Sequence, residues 1–422
     1  MSELGESPLF AGHRHLSVDE ARAAIRLSLQ PVDGSQTLPL LQALGRVLDA
    51  DVLSPIDVPP HDNSAMDGYA FGGSAMRPDA PTVLEVIGTL HAGQPFTAAV
   101  AAGQCLRIMT GAVMPSGCDT VVPQELCRVD GDRVTIPPGT VEPGENRRPR
   151  GEDLARGRPA LRAGQRLRPA DLGLLASLGF EQVSVRRRVR VALFSTGNEI
   201  QAPGKPLAPG CVYDSNRYSL AASLQRLGCE VIDLGLVADD PKALRATFER
   251  AIAEADAVLT SGGVSVGEAD YTRQLMAELG DVAFWRVAMR PGRPFAFGPL
   301  HAHGRRAWLF ALPGNPVAAL VTFHAFVREA LLQLAGASAQ PFPALRLPCA
   351  TPIRKRPGRT EFQRAIVEPG PDGRWAARLT GSQGAGILRS LSEANALVVL
   401  GHDQGSVNPG DEVTVWLFDG LV

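Results

Sequence analysis

Between Val189 and Gly262 short apolar runs alternate with longer stretches of helical spacing: VRVALFS (189–195), NRYSLAASLQRLG (216–228), CEVIDLGLV (229–237), PKALRATFERAIAEA (241–255) and DAVLTSG (256–262). Near-continuous apolar runs suit strands covered on both faces, so this order predicts a doubly wound parallel α/β sheet. Ligands bind such sheets beyond the carboxyl ends of the strands, and right-handed crossovers put those ends on one side.

All three predicted strand ends carry polar tips. The first is Thr196-Gly197-Asn198-Glu199 and the second Ala238-Asp239-Asp240. The third is SGGVSVGEADYTR, with Ser261, Gly262, Gly263, Ser265 and Gly267 followed by Glu268 and Asp270. Its glycines let backbone N–H groups face an anion, and its carboxylates suit a hard cation, so the loop could hold phosphate and a divalent ion together. Taken alone it reads equally well as a glycine turn before an acidic helix start. Three acidic tips on one edge carry more weight, and a metal-assisted phosphate site is the expectation. Neither GxGxxG nor a P-loop lysine motif is present, which removes the main support for nicotinamide and Walker-type readings.

Other segments frame this sheet. Ser17-Val18-Asp19-Glu20 is a capping box opening a helix through Leu29, and 37–53 reads as a second short helix. SPIDVPPHDNSAMDGYAF (54–71) is too rich in proline and aspartate for a helix and reads as a rigid binding loop around Asp67. Residues 82–145 alternate as short strands, with Thr110-Gly111 after one of them. Arg147, Arg148 and Arg150 could fork onto an oxyanion or form a salt-bridge patch with Glu152 and Asp153, while Arg186-Arg187-Arg188 reads as solvated. Pro169 opens a helix through Ser177.

Beyond the sheet, FWRVAMRPGRPFAFG (284–298) sets Arg286, Arg290 and Arg293 around a Pro-Gly turn. LPGNPVAAL (312–320) leads through Pro313, Gly314 and Asn315 into an apolar helix starting at Pro316, so an oxyanion pocket is expected there. After 340 short strands return, interrupted by QGAGILRSLSEAN (383–395), a loop or short helix able to close on a ligand. The expected fold class is therefore α/β multidomain. The central α/β domain spans 186–338, a helical scaffold comes from 1–53 plus 146–185, and two β-rich domains occupy 54–145 and 339–422.

With 422 residues, 45% of them hydrophobic, the chain can fill several cores. A net charge of −2 gives no general reason for nucleic-acid or membrane binding. Six cysteines without a CxxC pair point to a reducing, cytoplasmic setting. No cationic leader opens the sequence and no apolar run reaches about 18 residues, so neither secretion nor membrane insertion is expected.

Eight motifs in order, HDNSAMDGYA, RIMTGAVMPSGCDTVVPQE, GENRRPRGEDL, ALFSTGNEI, YDSNR, TSGGVSVGEADYT, RPGRPFAFG and LPGNP, resemble the molybdopterin molybdenumtransferase family, known as MoeA in bacteria and as the E domain of gephyrin-like proteins. The resemblance runs from about residue 15 onward. It implies an elongated homodimer, with each active site between the α/β domain of one subunit and the second, β-rich domain of the other. It implies adenylylated molybdopterin and molybdate as substrates, Mg²⁺ as cofactor, and molybdenum cofactor and AMP as products. Transient contact with molybdopterin adenylyltransferase and molybdoenzyme acceptors is also implied.

Functional positions implied by the resemblance are Asp67, Thr110, Asp153, Glu199, Asp239 and Asp270. The expectation is that Asp239, Asp270 and Glu199 gather Mg²⁺, while Ser261, Gly262, Gly263, Ser265, Pro313, Gly314 and Asn315 line the substrate. Arg286, Arg290 and Arg293 stand where family members commonly carry lysine and are assigned to molybdate and phosphate. Asn198 replaces a frequent acidic residue and Ala318 a frequent serine. The alternatives are a non-catalytic molybdopterin-binding scaffold, and an adenylyltransferase sharing the central domain.

Overall fold

The computed structural model describes residues 15–94, 96–262, 270–338 and 343–418. Its central domain follows the order read from the sequence: β1 (Arg190–Thr196), α1 (Asn216–Leu227), β2 (Glu230–Val237), α2 (Pro241–Glu254), β3 (Ala257–Ser261), α3 (Asp270–Leu279), β4 (Ala283–Val287), β5 (Pro294–Ala302) and β6 (Arg305–Leu312). A helical stretch then runs through α4 (Pro316–Thr322), a π-helical turn at Phe323–Val327, and α5 (Arg328–Leu334).

The strands lie in the order β4-β5-β6-β3-β1-β2, with His15–Leu16 outside β4. Strands β2, β1, β3 and β6 are parallel, as the βαβ spacing requires. Beyond β6 the sheet turns antiparallel, β4 against β5 and β5 against β6. These strands are joined by short reversals at Pro291-Gly292 and His303-Gly304, which are too short for a parallel crossover.

Alternate side chains of the strands face opposite layers. Val191, Leu193 and Leu259 pack with α1 and the Pro316–Leu334 stretch, whereas Ala192, Phe194 and Val258 pack with α2 and α3. The Pro316–Leu334 stretch is long and apolar enough to cross a membrane by length and composition, but 83% of it is buried in this core.

Two local expectations are corrected. Segment 37–53 is not a helix: Ser35–Pro39 pairs antiparallel with Gln182–Arg186, Leu40–Gln42 makes one 3-10 turn, and Val52–Leu53 pairs with Pro159–Leu161. Pairing with strands more than a hundred residues away outweighs the local helical pattern. The first helix, Val18–Ser28, has the expected capping box, with Ser17 Oγ accepting from the Glu20 N–H at 3.2 Å. It packs in the central domain rather than the scaffold, because its buried face of Val18, Ala21, Ala24 and Ile25 joins that core.

The inserted β unit is a six-stranded sheet that includes Gly68–Phe71 at the end of the Asp67 loop. In the C-terminal sheet, Thr360–Pro369 pairs with Ala396–Leu400, with Trp375–Leu379 and, in parallel, with Met289–Arg290. The arginine turn thus belongs to two sheets. All six cysteines are free.

Candidate functional site

The site begins where β1 and β3 end. From these neighbours the chain leaves in opposite directions, from β1 to β2 on one side and from β3 to β4 on the other, opening a crevice beyond their carboxyl ends. Gly262 makes the close approach possible: its φ is +95°, and a Cβ there would lie 2.5 Å from the Thr196 carbonyl oxygen. No other residue fits both constraints.

Beneath the crevice a buried polar network holds the strand ends. Ser195 Oγ donates to Asp214 Oδ1 at 3.1 Å and lies 3.2 Å from Ser261 Oγ. Arg217 donates from Nε to Asp214 Oδ2 at 3.0 Å and pairs with Asp233 at its other end. The neighbouring Asn216 donates from Nδ2 to the Gly314 carbonyl at 2.7 Å, tying α1 to the turn after β6. The YDSNR motif therefore supports the crevice from below, and Ser261, 1% exposed, faces this network.

Above it opens a cavity of about 520 Å³ lined by Glu199, Asp239, Gly262, Arg290, Arg293 and the Pro313-Gly314-Asn315 turn. Among the described residues neither Glu199 nor Asp239 has an ion-pair partner, and neither Arg290 nor Arg293 has one. Unneutralised charges of both signs sharing one cavity suit a ligand carrying both anionic groups and a cation. Gly292, with φ +95°, would press a Cβ to 2.3 Å from Thr322 Oγ1, so the arginine turn lies directly on α4. The Val317 N–H at the start of α4 donates to the Ala385 carbonyl at 3.1 Å, so the 383–395 loop covers part of the helix end expected to face a ligand.

A smaller cavity of about 220 Å³ adjoins it through Arg290, Pro291 and Gln383. On its wall Arg364 is fully buried and donates to Ser390 Oγ at 3.0 Å and to the carbonyls of Ser382 at 3.3 Å and Gly384 at 3.0 Å. Among the described residues it has no carboxylate partner. Burial, and then Arg290, push its guanidinium down to about 10, which leaves it charged at neutral pH. Arg364, with Thr272, Met289, Arg359 and Gln383 on the larger cavity, has no individual place in the sequence reading. The available signal was charge inside an apolar strand, RTEFQRAIV, since buried charges need a partner or a ligand.

Other candidates lie apart from the cavity. Asp67 and Thr110 meet each other in the β unit, and Thr110 donates both its N–H and its hydroxyl to Asp67 Oδ1. The Asp153 N–H donates to the Val58 carbonyl at 3.0 Å. Arg286 is exposed on β4, in register with His15. Arg147, Arg148 and Arg150 pair with Asp62, Glu152 and Asp57, so the salt-bridge reading of that run holds. Arg187 is not simply solvated: it grips Asp256 with two bonds of 2.7 and 2.8 Å. Gly263, Ser265, Gly267, Glu268 and the Asp270 side chain lie outside the described residues.

The fold and the cavity define the class: a multidomain α/β protein with a ligand crevice at the switch point of its central sheet. Three family models match in succession: the MoeA N-terminal region (domain I and II) over 16–179, a probable molybdopterin binding domain over 192–333, and the MoeA C-terminal region (domain IV) over 346–418. The molybdopterin molybdenumtransferase of Haemophilus influenzae is 39% identical over 408 residues, covering 96% of this chain and 100% of that protein. Its namesake from a Nostoc species is 39% identical over 386 residues, covering 90% and 88%. The crystal structure of molybdopterin biosynthesis moeA protein from Pyrococcus horikoshii superposes with a TM-score of 0.82 at 29% identity, covering 96% of this chain and 100% of that one. The chain belongs to the molybdopterin molybdenumtransferase family.

Proposed function

We propose that this protein inserts molybdenum into molybdopterin during molybdenum cofactor synthesis, taking adenylylated molybdopterin and molybdate and releasing AMP. One observation carries the reading: Glu199 and Asp239 share a cavity with Arg290 and Arg293, with no ion pairs among them. A phosphoanhydride with a bound divalent cation complements that pattern.

In this reading Arg290 and Arg293 hold the phosphate oxygens with their guanidinium forks. Glu199 and Asp239 are hard oxygen donors and fit Mg²⁺, with Asp270 at the start of α3 as the further donor. When bound, Mg²⁺ supplies neutralisation of the charge on the phosphoanhydride. Gly262 lets the phosphates approach the sheet edge. The neighbouring wall of Arg290 and Arg364 offers molybdate a cationic surface, and the acceptors of the Arg364 guanidinium among the described residues are neutral oxygens. The two dithiolene sulfurs then replace one oxo ligand of molybdate, which leaves as water with the two thiol protons, while a water molecule attacks the phosphoanhydride and AMP departs. The Asp67–Thr110 pair lies outside this cavity, so we assign it to the cavity of a second subunit in a homodimer. A cytoplasmic setting accords with the six free thiols.

The deciding experiment mixes the protein with adenylylated molybdopterin, Mg²⁺ and molybdate and follows AMP by chromatography. Release requiring both ions is expected. Tight nucleotide binding without release would overturn the reading in favour of a scaffold.

A further inference from the structure

A carboxylate beside an oxyanion site repels its ligand, so Glu361 calls for an explanation. It is 3% exposed and is the one carboxylate among the described residues lining the smaller cavity, where Arg290, Arg354 and Arg364 also stand. Both of its oxygens are engaged. Oε1 accepts from Arg359 Nε at 2.8 Å and lies 2.7 Å from Arg359 Nη2, and Oε2 accepts from Gln363 Nε2 at 2.9 Å. Its backbone is fixed as well, in parallel register with Arg290.

Arg359 is the residue this arrangement serves. Its side chain is 40% exposed and lies on the wall of the larger cavity. A guanidinium carries five N–H donors, and Glu361 occupies the Nε–Nη2 edge, leaving the remaining donors to the cavity. We infer that Glu361 is a positioning residue: by gripping one edge of Arg359 it fixes the other toward the ligand, so that Arg359 binds an oxyanion of the substrates. This rests on the proposed reaction for the identity of the ligands. The shared chemistry is a tetrahedral oxyanion, either the nucleotide phosphate or molybdate.

The test uses the full chain with Arg359→Ala, Glu361→Gln and the double variant, titrated calorimetrically with AMP and with molybdate separately. Arg359→Ala is expected to weaken one of them about tenfold or more, the scale of a charged hydrogen bond. Glu361→Gln should weaken the same ligand comparably, and the double variant should bind within about twofold of Arg359→Ala, since both changes remove one interaction. Loss confined to AMP identifies the phosphate, and loss confined to molybdate identifies the metal oxyanion. Unchanged affinity in Glu361→Gln, or tighter binding from simple relief of repulsion, overturns the inference, whatever happens to the melting temperature. Arg359→Lys keeps the charge and loses the fork without altering Glu361, so it serves if Glu361→Gln does not fold; unchanged affinity there also overturns it. These affinities do not depend on turnover, so failure of the proposed reaction shows separately, as wild-type protein that releases no AMP.

Discussion

Thr110 donates its backbone N–H and its hydroxyl to the same oxygen of Asp67, each at 2.7 Å. First the hydroxyl and then the N–H hold the Asp67 carboxyl below the usual carboxylate range. A lowered folded-state value means that the associated stabilisation is complete above the ordinary carboxylate pKa and disappears as pH falls through the folded value. Thr110→Val should move the carboxyl back up toward the ordinary carboxylate range. Titration of the Asp67 carboxyl carbon by NMR checks this, and an unchanged curve would show that the hydroxyl contributes nothing.

That pair sits in the β unit, while Glu199 and Asp239 line the cavity of the α/β domain. If two subunits share each site, Asp67→Ala and Glu199→Ala homodimers are each inactive, yet mixing and reassembling them restores one intact site per mixed dimer. Recovery of about a quarter of wild-type AMP release is expected from random reassortment in a dimer. No recovery, with exchange verified by mass spectrometry, would place Asp67 outside the partner's site.

Gly262 tolerates no side chain, because its φ of +95° and the 2.5 Å approach to the Thr196 carbonyl act together. Gly262→Ala should cost about 2 kcal/mol or more in thermal or urea unfolding and separate the β1 and β3 ends. Nucleotide affinity should fall with it. Wild-type stability in this variant would contradict the close packing of the crevice.

Asn216 acts through Gly314. Asn216→Ala leaves the Gly314 carbonyl without the 2.7 Å bond, at a cost of about 1–2 kcal/mol. Because Gly314 lines the cavity, the KM for the nucleotide substrate should rise more than kcat falls. The reverse split would mean that the turn serves the chemical step.

His324 lies in the π-helical turn, 8% exposed, beside Phe323 and stacked on Phe418. Burial, then Arg328 and Arg226, push its imidazole down to about 4. The unfolded chain therefore takes up this proton first, near pH 6.5, and the folded protein loses stability as pH falls from about 6.5 toward 4. Up to about 3 kcal/mol is at stake at 1.36 kcal/mol per pKa unit. His324→Phe should flatten that part of the stability profile measured in urea. An equally steep loss in the variant would assign it to other groups.

The central domain was legible because its apolar runs of strand length and its stretches of helical spacing alternate at βαβ spacing, a pattern that local burial imposes on a sheet covered on both faces. The same holds for the Ser17 capping box and for Pro169 and Pro316 at helix starts. Chemistry at strand ends could likewise be read, since the crossover rule alone brings Glu199, Asp239 and Gly262 to one edge.

Tertiary structure decided what depends on distant partners. Segment 37–53 became strand and 3-10 turn because Gln182–Arg186 and Pro159–Leu161 were there to pair with it. Arg150 was committed to Asp57 and Arg187 to Asp256, while Arg290 and Arg293 have no ion-pair partner among the described residues, and nothing in three similar arginine clusters distinguishes these fates. Arg359 and Arg364 reached the cavities only because Met289–Arg290 crosses into the C-terminal sheet and pairs with Thr360–Glu361. Local sequence fixes which backbone a segment prefers; which charges remain free to meet a ligand depends on how many opposite charges the completed fold has already placed beside them.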